Sequence, residues 1–109
     1  MKITNAKPFF PNKDIDSILN DIKDSLRTGV LTLGPNVEKL EREFADYVGV
    51  KHAIAVASGT AALHLSYIAL GLSSGDEIIQ PAINFVAAAN MSIAVGATPV
   101  FADINSLGD

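Results

Sequence analysis

Apolar residues in the first part of the chain recur with the period of a helix. Ile15, Ile18, Leu19, Ile22 and Leu26 are spaced by three or four positions, with charged and polar residues between them. That spacing predicts an amphipathic helix over Asp14–Thr28, with Asn12 or Asp14 as its cap and Gly29 as its stop. After the loop Val30–Gly34, a second helix is predicted from Pro35, whose fixed φ suits a first turn. Val37, Leu40, Phe44, Tyr47 and Val48 mark its apolar face, Glu38, Lys39, Glu41 and Arg42 its wet face, and Gly49 its end.

From His52 the pattern changes. The short apolar run His52–Ala57 reads as a buried strand, Ser58-Gly59-Thr60 as a tight turn, and Ala61–Leu70 as a helix closed by Gly71. Glu77–Gln80 is predicted as a second strand, broken by Pro81. Asn84–Val95 is predicted as an alanine-rich helix closed by Gly96, and Thr98–Ala102 as a third strand. Two helices followed by β-α-β-α-β is the rhythm of crossovers in a parallel sheet, and the fold class expected is α/β. A helix apolar on nearly every side, such as 84–95, must be covered on more than one face. Three strands cannot supply that cover, so the chain reads as part of a larger α/β layer structure.

Composition narrows the function. At 109 residues the chain has the length of about one small domain. Hydrophobic residues at 49% against 18% charged exclude intrinsic disorder. The formal net charge of −4 and eight scattered Lys and Arg leave no basic stripe for nucleic acid. There is no cysteine, hence no disulfide or thiolate metal site, and His52 and His64 form no zinc motif, so no metal is expected. The N-terminus lacks the apolar core of a signal peptide. The most apolar stretch, 85–102, is interrupted by Asn90, Gly96 and Pro99 and does not suit a membrane span. A soluble, cytoplasmic protein is expected.

The sharpest local feature is Ser58-Gly59-Thr60-Ala61-Ala62, where a strand is predicted to hand over to a helix. Free backbone N–H groups and the positive end of the helix dipole favour an anion there, Gly59 permits close approach, and Thr60 adds a hydroxyl. A phosphate is the natural guest. Taken alone, the tripeptide is more often a simple turn with an N-cap, which needs no ligand. Neither a P-loop lysine nor a GxGxxG motif is present.

Longer blocks carry a family resemblance. Gly34–Ala45, Ala55–Leu65, Gly75–Ile79 with Pro81 and Phe85-Val86-Ala87, and Gly96–Asp103 resemble, in order and spacing, segments of the DegT/DnrJ/EryC1/StrS sugar aminotransferases. The likeness runs from about Phe9 to Asp103. It implies a partial large domain of the aspartate-aminotransferase-like (fold type I) transferases that depend on pyridoxal 5'-phosphate (PLP). The division expected on that basis is an N-terminal arm and first helix over 1–34, then an incomplete PLP-binding domain over 35–109.

Carried onto these positions, the resemblance implies that Gly59 and Thr60 hold the cofactor phosphate, that Ser58 shapes the turn, and that Phe85 stacks on the pyridine ring. A flat aromatic face suits a flat conjugated ring. Without the resemblance, Phe85 reads as an ordinary core residue of an apolar helix. Asn84 departs from the family, which more often has threonine there; it could still cap the helix. The resemblance also implies a homodimer, a nucleotide-linked keto-sugar as acceptor, and an amino-acid donor such as glutamate. The catalytic lysine of the family is expected beyond Asp109, since Lys2, Lys7, Lys13, Lys23, Lys39 and Lys51 do not match its position. No catalytic residue is therefore expected within this chain, which by itself should be inactive. A sugar dehydratase of the same family, with histidine in place of that lysine, and a non-catalytic α/β binding module stay open as alternatives.

Overall fold

In the computed structural model, residues 7–105 are described. They fall into two compact units, divided between Ala55 and Val56, each taken by itself below.

The first unit contains α1 (Asn12–Thr28) and α2 (Pro35–Val48). Both predicted helices are present and stop where glycine was expected to stop them. Gly29 (φ 73°) and Gly49 (φ 78°) take the left-handed conformation open to glycine, and their N–H groups bond back to Ser25 O and Ala45 O. Pro35 occupies the first turn of α2, as its locked φ favours. The start of α1 differs from expectation. Its cap is Pro11, and neither Asn12 nor Asp14 caps through its side chain; the Pro11 carbonyl instead accepts from the N–H groups of Asp14 and Ile15. Asn36 Nδ2 donates to Ser25 Oγ at 3.2 Å and ties α2 to α1. Glu41 Oε1 accepts from the Ala55 N–H at 2.8 Å and holds the following segment against α2.

The second unit runs α3 (Gly59–Ala69), β1 (Glu77–Pro81), α4 (Ala87–Ala94) and β2 (Thr98–Ala102). β1 and β2 pair in parallel, Glu77 opposite Thr98 and Pro81 opposite Ala102. The register is set at the strand entrance, where Asp76 O accepts from the Thr98 N–H. Asp76 Oδ2 also accepts from the Ser73 N–H at 2.8 Å and closes the preceding turn. α4 crosses between the strands and packs on both, and α3 packs on α4. The buried residues of this unit are small or polar: Ala87 and Ser92 on α4, Ala97 beyond it, and Gln80 on β1. Small side chains let a helix approach a sheet closely, and Ser92 satisfies its hydroxyl by donating to Ala88 O at 2.8 Å.

The α/β class with a small parallel sheet is as expected, with one correction to the β-α-β-α-β order. His52–Ala57 forms no strand: the sheet has two strands, and neither pairs with this segment. A strand exists only through its ladder, and among the described residues the run finds no edge to join.

Candidate functional site

The turn that opens α3 is built by its own sequence. Ser58, in an extended conformation, is the N-cap, and its hydroxyl oxygen accepts from the Ala61 N–H at 3.1 Å. The Ser58 carbonyl accepts from the Ala62 N–H at 3.0 Å. The helix therefore starts at Gly59, two residues before the predicted start, because the cap fixes the first turn. Two amides remain. Among the described residues, the N–H groups of Gly59 and Thr60 and the Thr60 hydroxyl have no hydrogen-bond partner. A Cβ built on Gly59 would meet nothing within 4 Å, so the space on that side of Gly59 is open. Unsatisfied donors at a helix N-terminus, with room beside them and no acidic side chain in the first turn, suit an anion.

Phe85 lies elsewhere than the sequence suggested. It was expected within a helix from Asn84, yet α4 begins at Ala87 with Val86 as cap. Asn84 does not cap it, because its Oδ1 is turned onto the N–H of Phe85 at 2.7 Å. Phe85 consequently sits in the loop after β1, with 76% of its surface exposed. Among the described residues the ring is thus held on a loop and left uncovered. Because β1 and β2 are parallel, the loop after β1 and the residues after β2 leave the sheet at the same end, the carboxyl end, where ligands of α/β sheets bind. Asp103 emerges there too, with Oδ1 accepting from the Ile104 N–H at 2.9 Å.

One polar residue escaped the sequence reading. Gln80 is the penultimate residue of β1 and only 6% exposed, and its Nε2 is buried without a partner. The strand alternation held the signal, since Ile78 and Gln80 share the inward face of β1. An unpaired buried amide costs about 1–3 kcal/mol.

An open cleft of about 700 Å³ lies in the first unit, bounded by α1, α2 and the loop between them, with Ile18, Ile22, Leu26 and Leu40 in its walls. It includes none of Ser58, Gly59, Thr60 or Phe85. Among the described residues no group of three His, Cys, Asp or Glu side chains gathers as a metal site, and no helix is long and apolar enough to cross a membrane.

A model of the DegT/DnrJ/EryC1/StrS aminotransferase family matches residues 12–107. The chain belongs to this family. Among the relatives of this family member is the spore coat polysaccharide biosynthesis protein SpsC of Bacillus subtilis, 48% identical over 80% of this chain and 22% of its own length. The 3-oxo-glucose-6-phosphate:glutamate aminotransferase of Bacillus subtilis is 39% identical over 90% of this chain and 24% of its own. The GDP-perosamine synthase of Caulobacter vibrioides is 41% identical over 94% and 27%. NtdA of Bacillus subtilis, solved with bound cofactor PMP, superposes with a TM-score of 0.79 at 37% identity, covering 95% of this chain and 25% of that one. The PLP form of Spr1654 from Streptococcus pneumoniae gives a TM-score of 0.83 at 34% identity, over 97% and 26%. These solved relatives share the fold type I architecture, of which the chain is an α/β part. The chain spans about a quarter of the length of the relatives it matches.

Proposed function

We propose that this DegT/DnrJ/EryC1/StrS segment contributes the phosphate cradle and the ring-stacking aromatic of a PLP-dependent sugar aminotransferase. The observation that carries the reading is the pair of unpartnered amides at Gly59 and Thr60 beside open space. With the Thr60 hydroxyl they make three donors for a dianionic phosphate, and the dipole of α3 adds to their pull. Ser58 takes the Ala61 N–H for itself and so fixes which amides stay free. Phe85 supplies an exposed flat face at the carboxyl end of the sheet, suited to cover one side of a pyridine ring and exclude water from it. When bound, PLP supplies the electron sink that lets an amino group be exchanged for a carbonyl. This chain's residues hold and orient; the lysine that moves the proton lies, on this reading, beyond Asp109. The PLP-binding region is taken to begin at Pro35, with 1–34 as an arm and first helix.

The proposed reaction moves an amino group, with glutamate as donor, to a nucleotide-linked keto-sugar in a cytoplasmic homodimer that serves polysaccharide synthesis. The names of two relatives support amino transfer and polysaccharide synthesis, and that of the GDP-perosamine synthase supports a nucleotide-linked sugar. The 3-oxo-glucose-6-phosphate relative favours a second reading, a sugar phosphate without a nucleotide. Full-length protein given PLP, glutamate and either a nucleotide-linked keto-sugar or a keto-sugar phosphate tests both. Formation of 2-oxoglutarate and an amino-sugar in one arm assigns the acceptor. Production of a deoxy-sugar without amino transfer would instead identify the dehydratase, and no product in either arm would contradict the proposal.

A further inference from the structure

Gln80 stands apart from every other buried polar side chain in the described residues. Ser92 is buried and satisfied, whereas the Gln80 amide nitrogen is buried and unpaired. The loop that follows it in sequence is exposed and, among the described residues, has no hydrogen bond to the sheet. Just past it, residues 82–86 form the loop that carries Phe85, and the carbonyls of Ala82, Ile83, Asn84 and Phe85 accept no hydrogen bond among the described residues. The internal bond of that loop, Asn84 Oδ1 to the Phe85 N–H, joins neighbouring residues and does not fix the loop to the sheet. A buried donor without an acceptor thus lies two residues before an exposed run whose carbonyls take no protein donor.

We propose that Gln80 is the positioning residue for Phe85: its carboxamide hydrogen-bonds the main chain of the 82–86 loop and so sets the attitude of the ring. The hydrogen bond is reached when the loop packs down over the end of β1, directly or through one ordered water. A glutamine reaches a carbonyl two to four residues onward while its own backbone stays in the ladder, where it lies opposite Phe101. An apolar residue of similar size would fill the same volume and leave the loop untethered. The consequence for PLP rests on the reading of Phe85 given above; the tether itself does not.

The test separates these two. In full-length protein, hydrogen exchange is followed with Gln80 intact and in Gln80→Met and Gln80→Leu, which stay close in volume but remove the donor. The tether predicts exchange in 82–86 about five- to thirtyfold faster in both variants, with the amides of β2 at wild-type rates. It also predicts weaker PLP binding and a smaller circular dichroism signal from bound PLP, neither of which worsens further when Phe85→Leu is added. Unchanged exchange in 82–86 overturns the proposal, as does an effect spread evenly over β2. Faster loop exchange with PLP binding unaltered keeps the tether and sinks the cofactor-facing role of Phe85. If neither variant folds, a crystal structure of the unaltered protein decides: Nε2 within about 3.2 Å of a carbonyl in 82–86, or of a water bridging to one, supports the tether. Pairing to any other group overturns it.

Discussion

Three residues of the α3 turn divide the labour between folding and binding. Ser58 works for the helix, because its hydroxyl caps Ala61. Replacing it with alanine should destabilise the full-length protein by about 0.5–2 kcal/mol, seen as a lower urea midpoint. Gly59 and Thr60 make no such contribution. The Gly59 backbone lies outside the left-handed region and a Cβ there meets nothing, so Gly59→Ala should leave the melting temperature within a few degrees of wild type. On the proposed reading an added methyl crowds the phosphate, and PLP affinity measured by fluorescence titration should fall about tenfold or more. A variant that melts normally and binds PLP normally would show that the space is not used. The tripeptide was legible as a cap or an anion site; the structure shows the Ser58 cap, and the donors it leaves unpaired are those the proposed phosphate would use. Phe85 was placed on a helix because the surrounding alanines favour one. Its side chain is in fact presented by a loop, since Asn84 bonds its neighbour and leaves the start of α4 to Val86.

Among the elements, helix ends were easier to read than strands. Glycine after an apolar run ended α1 and α2 as expected, because few other residues accept positive φ at low cost. Gly96 (φ 85°) follows α4 in the same way, and a Cβ there would come within 3.4 Å of Ser74 N. Gly96→Ala should therefore destabilise by about 1–2 kcal/mol, measurable in urea, with little change in PLP affinity beyond that due to stability. The 52–57 segment was misread because an apolar run states that it will be buried but not what it will pair with. Ala55 already donates to Glu41, while the remaining amides of the run lack partners among the described residues. In full-length protein a neighbouring strand is expected to take them up. Hydrogen exchange should then find Ile54, Val56 and Ala57 protected to nearly the level of β1; fast exchange there would mean that the segment is a loop in the complete enzyme as well.

For the whole molecule, apolar surface is the dominant fact. Ile15, Ile18, Leu19, Ile22 and Leu26 repeat at helical spacing, yet α1 buries none of its residues. Leu40 and Phe44 on α2 and Ile79 and Phe101 on the two strands are likewise more than half exposed. Surfaces of this kind are not left in water by a stable monomer. The expectation, read first from the all-round apolar character of 84–95, was a larger layered structure, and a chain spanning about a quarter of its relatives' length agrees with it. The 109-residue chain expressed alone should self-associate or melt without a sharp transition. Light scattering and calorimetry check this, and a monodisperse monomer with a cooperative melt would contradict it. What the sequence could not convey is which faces meet the rest of the protein, since an amphipathic pattern names a buried face without naming its cover.

The most direct measurement is a crystal structure of the full-length protein with PLP bound. The account predicts phosphate oxygens within about 3 Å of the Gly59 and Thr60 N–H groups and the Thr60 hydroxyl, with the Phe85 ring parallel to the pyridine. A phosphate held by another loop, with the first turn of α3 packed against protein, would contradict it.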